Sequence, residues 1–404
     1  MCCVFFEYYE EEIDMKDISE TIRYIGCDDT TIDLFESQYP VPTGVSYNSY
    51  IIFDEKIAVM DTADRRASEE WRNYIKTVLL GKSPDYLIVQ HLEPDHSANI
   101  GWLCDEYPDM KLIGSARTKS MLPQFFEKDY SDRMTAVSEG SELSLGSHTL
   151  SFYMAPMVHW PEVMVTYEKS EKVLFSADGF GTFGALSTHP DGWSEDDWLE
   201  EARRYYINIV GKYGAQVQAL LKKAKTLDIA KIAPLHGPVL SENLGFYLEK
   251  YDIWSSYAPE ESGIFMPYAS IHGNTKKAVL EFAKELKDAG QNVITMDLSR
   301  THISYAVEKA FEYDRLILAS PTYDAGLYPA AEDFIYHLEA KLFQKRRVGL
   351  IENGSWSPMA GKIMKARFEA MKEITLLDPV VTIKTTRKEA DQEKWDALKK
   401  AITE

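Results

Sequence analysis

The feature that most constrains the fold of this chain is a regular alternation of apolar runs and amphipathic stretches that begins after Gly263. In the first amphipathic stretch Val279, Phe282 and Leu286 share one face, and Gly290 closes it, as expected of a helix. A helical stretch follows each apolar run, and the runs are residues 264–266, 292–294, 315–319, 348–351 and 380–383. Repeated strand–helix units of this kind predict a doubly wound parallel sheet.

The preceding part of the chain follows a different pattern. From Ser46 to about Tyr167, short strand-like segments separated by turn residues alternate with a few helical stretches, such as residues 67–80. The strand-like segments include residues 50–53, 57–60, 86–89, 111–113 and 150–153. This pattern favours a mixed sandwich of sheets with outer helices, and the polar segment at residues 259–262 marks the expected boundary. We therefore predict one domain over residues 1–258 and a second over residues 259–404.

Charge and cysteine content narrow the class of protein. The 404 residues carry a net charge of -20, which opposes binding to nucleic acid or to anionic membrane surfaces. The N-terminus lacks the basic and apolar regions of a signal peptide, no segment is apolar enough to span a membrane, and Met15 is an alternative start to Met1. The cysteines show no metal-ligand pairing, so a reducing cytoplasmic location is expected. They are Cys2, Cys3, Cys27 and Cys104.

The densest group of potential metal ligands follows the strand-like run at residues 86–89. His91, Glu93, Asp95 and His96 lie within six residues of one another in the chain. A strand that ends in a loop of imidazoles and carboxylates is how many enzymes build a metal centre, because the strand supplies position and the loop supplies ligands.

Three further candidate ligands stand after apolar segments or in turns rich in proline and glycine: His159, Asp178 and His236. A single histidine in an apolar segment is more often a core residue than a ligand, and this applies to each histidine taken alone. Together with the cluster at residues 91–96, however, these contexts favour a shared metal site. The histidines without such a context are His148, His189, His302 and His337.

The second half contains a loop suited to a phosphate. It lies between the first predicted strand and the first predicted helix, where free backbone N–H groups form an anion site. The loop has neither the lysine of an ATP-binding loop nor the Gly-x-Gly-x-x-Gly pattern of dinucleotide sites, so a mononucleotide such as FMN is favoured. Its candidate FMN contacts are Ser270, His272, Gly273, Asn274 and Thr275.

Two later loops leave the carboxyl ends of predicted strands, where open parallel sheets bind ligands. Tyr323 and Trp356 could flank a flat isoalloxazine ring, and the backbone beside Gly326 and Gly354 could approach its polar edge. The candidate contacts are Pro321, Thr322, Tyr323, Asp324 and Gly326 in one loop and Asn353, Gly354, Ser355 and Trp356 in the other.

The metal pattern resembles the metallo-β-lactamase superfamily, whose binuclear site has His-x-His-x-Asp-His followed by a His, a bridging Asp and a last His. Glu93 stands where that motif has its second His, and a carboxylate shifts the site from zinc towards iron. The resemblance implies two ligand sets joined by Asp178. They are His91, Glu93 and His159 on one metal, and Asp95, His96 and His236 on the other, with His96 the most variable ligand.

The complete order of motifs resembles the flavodiiron proteins, also called A-type flavoproteins, and residues 42–50 are similar to an early segment of that family. The resemblance implies an αββα sandwich of metallo-β-lactamase type followed by a flavodoxin-like doubly wound sheet, with FMN and two Fe as cofactors. It also implies a reductase of O2 to water, or alternatively of NO to N2O. Its catalytic residues would be His91, Glu93, Asp95, His159, Asp178 and His236.

The same resemblance implies partners. The expected electron donor is rubredoxin or another small redox protein, because no paired cysteines follow the second domain. A head-to-tail homodimer, or a dimer of dimers, would bring each FMN to the iron site of its partner.

Two other functions stay open at this point. One is a zinc hydrolase of lactamase type fused to a flavodoxin module, against which Glu93 argues. The other is an electron carrier whose first domain has lost its metal, against which the complete set of ligands argues.

Overall fold

The computed structural model describes residues 17–404. Cys2, Cys3 and the alternative starts at Met1 and Met15 lie outside these residues. The chain forms two compact units: the first comprises the chain up to Ala202 with Ala219–Tyr247, and the second comprises Arg203–Gln218 with Leu248–Glu404. The domain limits at residues 258 and 259 remain a proposal.

The first unit begins with short strands and gains helices towards its middle. Its strands are β1 (Ile22–Tyr24), β2 (Cys27–Asp29), β3 (Leu34–Phe35), β4 (Tyr39–Pro40), β5 (Val45–Tyr47), β6 (Tyr50–Ile52), β7 (Ala58–Met60), β8 (Tyr86–Val89), β9 (Lys111–Ser115), β10 (Met134–Val137), β11 (Glu142–Ser144), β12 (Thr149–Met154), β13 (Met164–Glu168), β14 (Val173–Phe175) and β15 (Lys231–Ala233). Its helices are α1 (Ser68–Leu79), α2 (Pro94–Ser97), α3 (Ile100–Glu106) and α4 (Ala116–Met121).

Two sheets make up most of this unit. One has the order β1-β6-β7-β8-β9-β10, and the other has the order β11-β12-β13-β14-β15. The core is formed by side chains from both sheets, for example Met60 and Ile88 from the first and Phe152 and Phe175 from the second. Because each sheet buries one face against the other, the predicted sandwich is confirmed.

Three helices cross the division between the two units in the sequence: α5 (Glu195–Tyr205), α6 (Gly214–Ala224) and α7 (Leu244–Ser255). A π-helical turn at Tyr206–Val210 follows α5 directly.

The second unit alternates strand and helix, as the sequence predicts. Its strands are β16 (Glu261–Tyr268), β17 (Val293–Asp297), β18 (Tyr313–Tyr323), β19 (Gly326–Leu327), β20 (Arg346–Asn353), β21 (Ile374–Leu376) and β22 (Val381–Ile383). Its helices are α8 (Asn274–Asp288), α9 (Ile303–Glu312), α10 (Pro329–Ala340), α11 (Ala360–Glu369) and α12 (Gln392–Thr403).

The sheet of the second unit has the order β17-β16-β18-β20, with β21 and β22 both paired to β20, and these pairings are parallel. This is the strand order of flavodoxin-like doubly wound sheets. On one face Met266 packs with Phe282 of α8 and Trp395 of α12. On the other face Phe265 contacts Phe334 of α10. Since helices cover both faces, the predicted architecture is confirmed.

No helix within residues 17–404 combines the length and the apolar character needed to cross a bilayer.

Candidate functional site

The candidate metal ligands all stand just beyond strand ends in the first unit. The loop that carries His91 and Glu93 follows β8, which runs parallel to β7 and β9 on either side. His159 lies between β12 and β13, Asp178 follows β14, and His236 follows β15. The strand β8 belongs to the first sheet, and β12, β14 and β15 belong to the second, so loops at the ends of both sheets bring together residues that are distant in sequence.

The first cluster contains His91, Glu93, His159 and Asp178. Glu93 Oε2 lies 3.2 Å from His91 Nε2 and 3.0 Å from His159 Nε2. Asp178 Oδ2 lies 3.3 Å from His91 Nε2 and 3.1 Å from His159 Nε2. Two imidazole nitrogens and two carboxylate oxygens therefore point at one small volume.

The second cluster contains Asp95, His96 and His236. Asp95 Oδ2 lies 3.3 Å from the Nε2 atom of each histidine, and the two Nε2 atoms are 3.1 Å apart. The other oxygen of Asp178, Oδ1, lies 3.4 Å from His96 Nε2 and 3.8 Å from His236 Nε2. Asp178 thus turns one oxygen towards each cluster.

The chemistry of this donor set fits two metal ions. Within residues 17–404, no lysine or arginine forms an ion pair with Glu93, Asp95 or Asp178, although these side chains are buried or nearly so. Buried carboxylates without a cation are costly. Metal ions would supply the missing positive charge, and the paired imidazole and carboxylate atoms are suitable ligands.

Because no lysine or arginine of residues 17–404 pairs with these carboxylates, the carboxylates act on the pKa values of the imidazoles beside them. Burial alone lowers the pKa of His96, but the neighbouring carboxylates, Asp95 first, raise this pKa to about 10. For His159, contacts with Asp178 and Glu93 outweigh burial and raise the pKa to about 9. The pKa of Asp178 is lowered well below its usual value, because the surrounding imidazoles outweigh burial. Binding of metal would therefore displace protons from these imidazoles.

The sequence analysis missed two buried carboxylates that support the loop. Glu162 lies with its Oε1 atom 2.8 Å from His91 Nδ1. Asp61 accepts hydrogen bonds from the backbone N–H of Gln90 at 2.8 Å and from its side chain at 2.9 Å. Burial raises the pKa of Asp61 to about 6, although these bonds oppose the rise. Only their positions in the sequence could have indicated these residues: Asp61 directly follows a strand, and Glu162 follows His159 by three residues.

The segment at residues 42–50, whose role was unclear from the sequence, holds the loop of His236. The carbonyl oxygen of Ser46 accepts a hydrogen bond from His236 Nδ1 at 2.7 Å, and Ser46 Oγ accepts one from the backbone N–H of Gly237 at 2.7 Å. Asn48 Nδ2 donates to the carbonyl oxygens of Pro234 and Gly237 at 2.9 and 2.7 Å. Because a carbonyl oxygen only accepts, His236 carries its proton on Nδ1 and presents the lone pair of Nε2 to the cluster.

The four histidines without a metal context lie outside both clusters. His148 Nδ1 lies 3.1 Å from Glu168, and the ring of His189 lies 4.1 Å from that of Trp193. His302 accepts a hydrogen bond from the backbone N–H of Ser304 at the start of α9, and His337 lies 3.5 Å from Asp333. These contacts fit structural roles.

A cavity of about 380 Å³ reaches the clusters from solvent. The candidate ligands that line it are Glu93 and Asp95, and Phe35 in its wall contacts the ring of His236 edge-on at 5.3 Å between centroids. Its other lining residues are Ile32, Asp33, Leu34, Glu36, Ser37, Tyr47, Asp64, Arg66 and Pro94. This cavity is the route by which a small molecule can reach the clusters.

A second cavity, of about 520 Å³, lies at the carboxyl ends of the strands of the second unit. It is lined by all the predicted FMN contacts except Gly273 and Gly326. Four lining residues were not predicted: Ile271, Ala325, Ser357 and Thr385. Thr385 follows β22, so it also lies at the carboxyl end of a parallel strand, where open sheets bind ligands.

The phosphate loop has the geometry of an anion site. Ser270 Oγ accepts hydrogen bonds from the backbone N–H groups of Gly273 at 3.1 Å and Lys276 at 3.2 Å. Gly273 has a φ of 89°, a left-handed conformation that suits glycine, and it caps α8. The helix therefore starts against an open cavity, where its N-terminal N–H groups favour a phosphate.

The two flanking aromatic residues are strongly exposed. Trp356 is 83% exposed and Tyr323 is 45% exposed. Asn353 connects the loop of Trp356 to Thr385. Its side chain donates to the carbonyl oxygen of Thr385 and accepts from the backbone N–H of Thr385, each at 2.9 Å. The cavity thus combines an anion site, apolar ring faces and an ordered polar edge, which fits FMN.

These features define a class of protein: an oxidoreductase in which a lactamase-like sandwich with a dinuclear metal centre precedes a flavodoxin-like sheet. Family comparisons agree. Residues 45–237 match the family described as ODP family beta lactamase, and residues 267–395 match flavodoxin.

Relatives and solved structures cover nearly the whole chain. An uncharacterized protein of Methanocaldococcus jannaschii is 30% identical over 92% of this chain and 94% of its own length. Rubredoxin-oxygen oxidoreductase of Megalodesulfovibrio gigas is 29% identical over 95% of this chain and 96% of its own. Nitric oxide reductase of Moorella thermoacetica is 27% identical over 95% of this chain and 97% of its own.

Among solved structures, rubredoxin oxygen:oxidoreductase of Desulfovibrio gigas has a TM-score of 0.88 at 27% identity, covering 95% of this chain and 96% of that one. The flavodiiron protein of Giardia intestinalis has a TM-score of 0.89 at 22% identity, covering 96% of this chain and 95% of that one, and shares the fold. The chain belongs to the flavodiiron protein family. It is an oxidoreductase whose cofactors are FMN and a pair of iron ions.

Proposed function

We propose that this protein reduces O2 to water at a di-iron centre with electrons delivered through FMN. One observation carries the proposal: Asp178 turns its two oxygens towards two clusters of ligands, in a chain that also contains a cavity lined by residues suited to FMN. Complete reduction of O2 requires four electrons, and two ferrous ions with reduced FMN supply that number when bound. The relative named rubredoxin-oxygen oxidoreductase supports this choice of substrate.

The candidate ligands form two sets, one for each metal ion. In our proposal His91, Glu93 and His159 hold one ion, and Asp95, His96 and His236 hold the other. Asp178 would join the two, and two ions held by this set of ligands would be close enough to act on one small molecule.

The rim of the cavity determines how substrate and protons arrive. The side chains of Glu93 and Asp95 are 15% and 11% exposed, whereas those of His91, His96 and His236 are fully buried. Substrate therefore reaches the clusters from the side of the carboxylates. Asp64 lines the same cavity, and burial raises its pKa. We propose that Asp64 delivers protons at its carboxylate oxygens during the reaction.

Reduction of NO to N2O is the second candidate. The relative named nitric oxide reductase matches 95% of this chain, as does the relative named rubredoxin-oxygen oxidoreductase. The same cavity admits either diatomic molecule.

We further propose that rubredoxin or another small redox protein donates the electrons, and that the protein is a cytoplasmic head-to-tail homodimer or a dimer of dimers. Relatives whose names contain rubredoxin support this donor. The net charge of -20 favours contacts through specific protein surfaces rather than with polyanions.

The test is to purify the protein anaerobically, measure its iron, zinc and FMN content, and compare steady-state rates with O2 and with NO using one reduced rubredoxin. We expect two irons and one FMN per chain and a higher kcat/KM for O2. Zinc in place of iron would refute the di-iron centre, and a higher kcat/KM for NO would make NO the substrate.

A further inference from the structure

We propose that Glu162 is a positioning residue that fixes the orientation and the electron-donating strength of His91. Through His91 it would set the affinity and the reduction potential of one of the two irons. The inference rests on the proposed function, since it takes the two clusters to hold iron. It concerns a side chain outside the ligand set predicted from the sequence.

Glu162 is held from several sides in the loop before β13. The residue is 1% exposed, and its Oε1 atom lies 2.8 Å from His91 Nδ1 and accepts a hydrogen bond from the backbone N–H of Leu92 at 2.9 Å. Its backbone carbonyl oxygen accepts a hydrogen bond from Ser115 Oγ at 2.9 Å. The carboxylate therefore has little freedom to turn away from His91.

This contact selects one tautomer of His91. An ionised carboxylate only accepts hydrogen bonds, so the proton shared with Glu162 belongs to His91 Nδ1. The lone pair of His91 Nε2 is then free to face Glu93 and Asp178, whose oxygens lie 3.2 and 3.3 Å away. A ligand oriented in this way loses little rotational freedom when an ion binds.

In the described part of the chain, His91 alone balances the charge of Glu162. Within residues 17–404, His91 is the only basic residue within ion-pair distance of Glu162, and Glu162 Oε2 has no hydrogen-bonding partner. A buried negative charge in this position is balanced through the imidazole and the ion beyond it. It makes the imidazole a stronger electron donor, which favours Fe(III) over Fe(II).

The second cluster lacks this device. The Nδ1 atom of His236 donates to the neutral carbonyl oxygen of Ser46, and His96 Nδ1 has no hydrogen-bonding partner in the described part of the chain. Among the described residues, a carboxylate therefore supports the Nδ1 atom of His91 but not the Nδ1 atoms of His96 and His236. We infer that the two irons differ in affinity and potential, and that Glu162 causes much of the difference.

The substitution Glu162→Gln tests this inference, because it keeps the size and the acceptor oxygen of the side chain but removes the charge. We expect about 10- to 100-fold weaker binding of one Fe(II) per chain, the usual effect of losing a partner of a metal-bound histidine. We also expect a more positive midpoint potential for that iron. Competition with a chelator measures the affinity, and a redox titration followed by electron paramagnetic resonance measures the potential.

Glu168→Gln is the matched control. Glu168 is also a buried glutamate in this domain, 3.1 Å from the Nδ1 atom of a histidine, His148, that lies outside both clusters. Glu168→Gln should leave the affinity for Fe(II) and the midpoint potential unchanged. Should Glu162→Gln fail to fold, Glu162→Asp replaces it; this variant keeps the charge at a shorter reach and should retain a potential close to that of the wild type.

The outcomes separate the two proposals. Wild-type protein without iron would refute the proposed function and this inference together. Two irons in the wild type, with unchanged affinity and potential in folded Glu162→Gln, would refute the role of Glu162 alone. A shift of equal size in Glu168→Gln, or a Glu162→Asp variant whose potential departs strongly from that of the wild type, would also overturn it.

Discussion

Replacement of Trp356 by alanine should weaken FMN binding more than any other single change in the flavin cavity. Trp356 is 83% exposed, so its ring is available to cover one face of the isoalloxazine. Covering about 100 Å² of apolar surface at about 25 cal/mol per Å² contributes roughly 2.5 kcal/mol. Aromatic stacking adds about 0.5–1.5 kcal/mol. Since 1.4 kcal/mol is a factor of ten, Trp356→Ala should raise the Kd for FMN by about 100-fold or more.

The assay is a titration of FMN-depleted protein followed by the quenching of flavin fluorescence. Trp356→Phe should recover much of the affinity, because it restores a ring of smaller area. Tyr336→Ala is the matched control, since Tyr336 is 60% exposed on α10 of the same unit but does not line the cavity. A Kd for Trp356→Ala within threefold of the wild type, or an equal loss in Tyr336→Ala, would refute the stacking role.

Three further predictions concern the metal site and stability. Asp178→Asn should lower iron content at both clusters and leave FMN bound; two irons per chain by elemental analysis would contradict its bridging role. Burial raises the pKa of Glu308 to about 7, against the opposing effects of Lys309 and Arg203. The folded state therefore binds this proton more tightly than the unfolded state, so the free energy of unfolding should fall by about 3 kcal/mol as pH rises from about 4.5 to above 7. Denaturant titrations at several pH values should show that Glu308→Gln removes this fall, and equal pH dependence in both proteins would contradict it. Arg346→Met should destabilise the second unit by about 2–4 kcal/mol in the same assay, because one buried and two partly buried backbone carbonyl groups lose the donor that Arg346 provides. These carbonyl groups belong to Tyr257, Ala258 and Phe311. An unchanged free energy of unfolding would refute the role of Arg346.

The doubly wound half of the fold was predictable because its strands are fully buried. A strand covered on both faces is apolar along its whole length, so residues 315–319 and 348–351 stand out from the sequence, and both lie in observed strands. The helix face of Val279, Phe282 and Leu286 is buried as predicted. The hairpin of β3 and β4 escaped prediction, because strands of two residues are too short to show any period.

The candidate site was predictable where several residues share a local motif, and not where one residue acts alone. His91, Glu93, Asp95 and His96 are recognisable because they are crowded into one loop. Glu162 is a single acidic residue in a loop, and only the packing of that loop against His91 distinguishes it from a surface glutamate. The contribution of Ser46 is made by a backbone carbonyl oxygen, which every residue possesses, so no sequence pattern could identify it.

The convergence of His96 and His236 has a consequence for how the protein is made. These residues are 140 positions apart in the chain, and their Nε2 atoms meet at 3.1 Å. An ion held by both residues would act as a cross-link that closes a long loop, and long loops gain the most from closure. A nascent chain cannot complete the second cluster until the strand before His236 has been synthesised and paired. The iron of the second cluster is therefore a late addition in biosynthesis, and a shortage of iron would leave finished chains whose loops open more readily and are cut more easily by proteases.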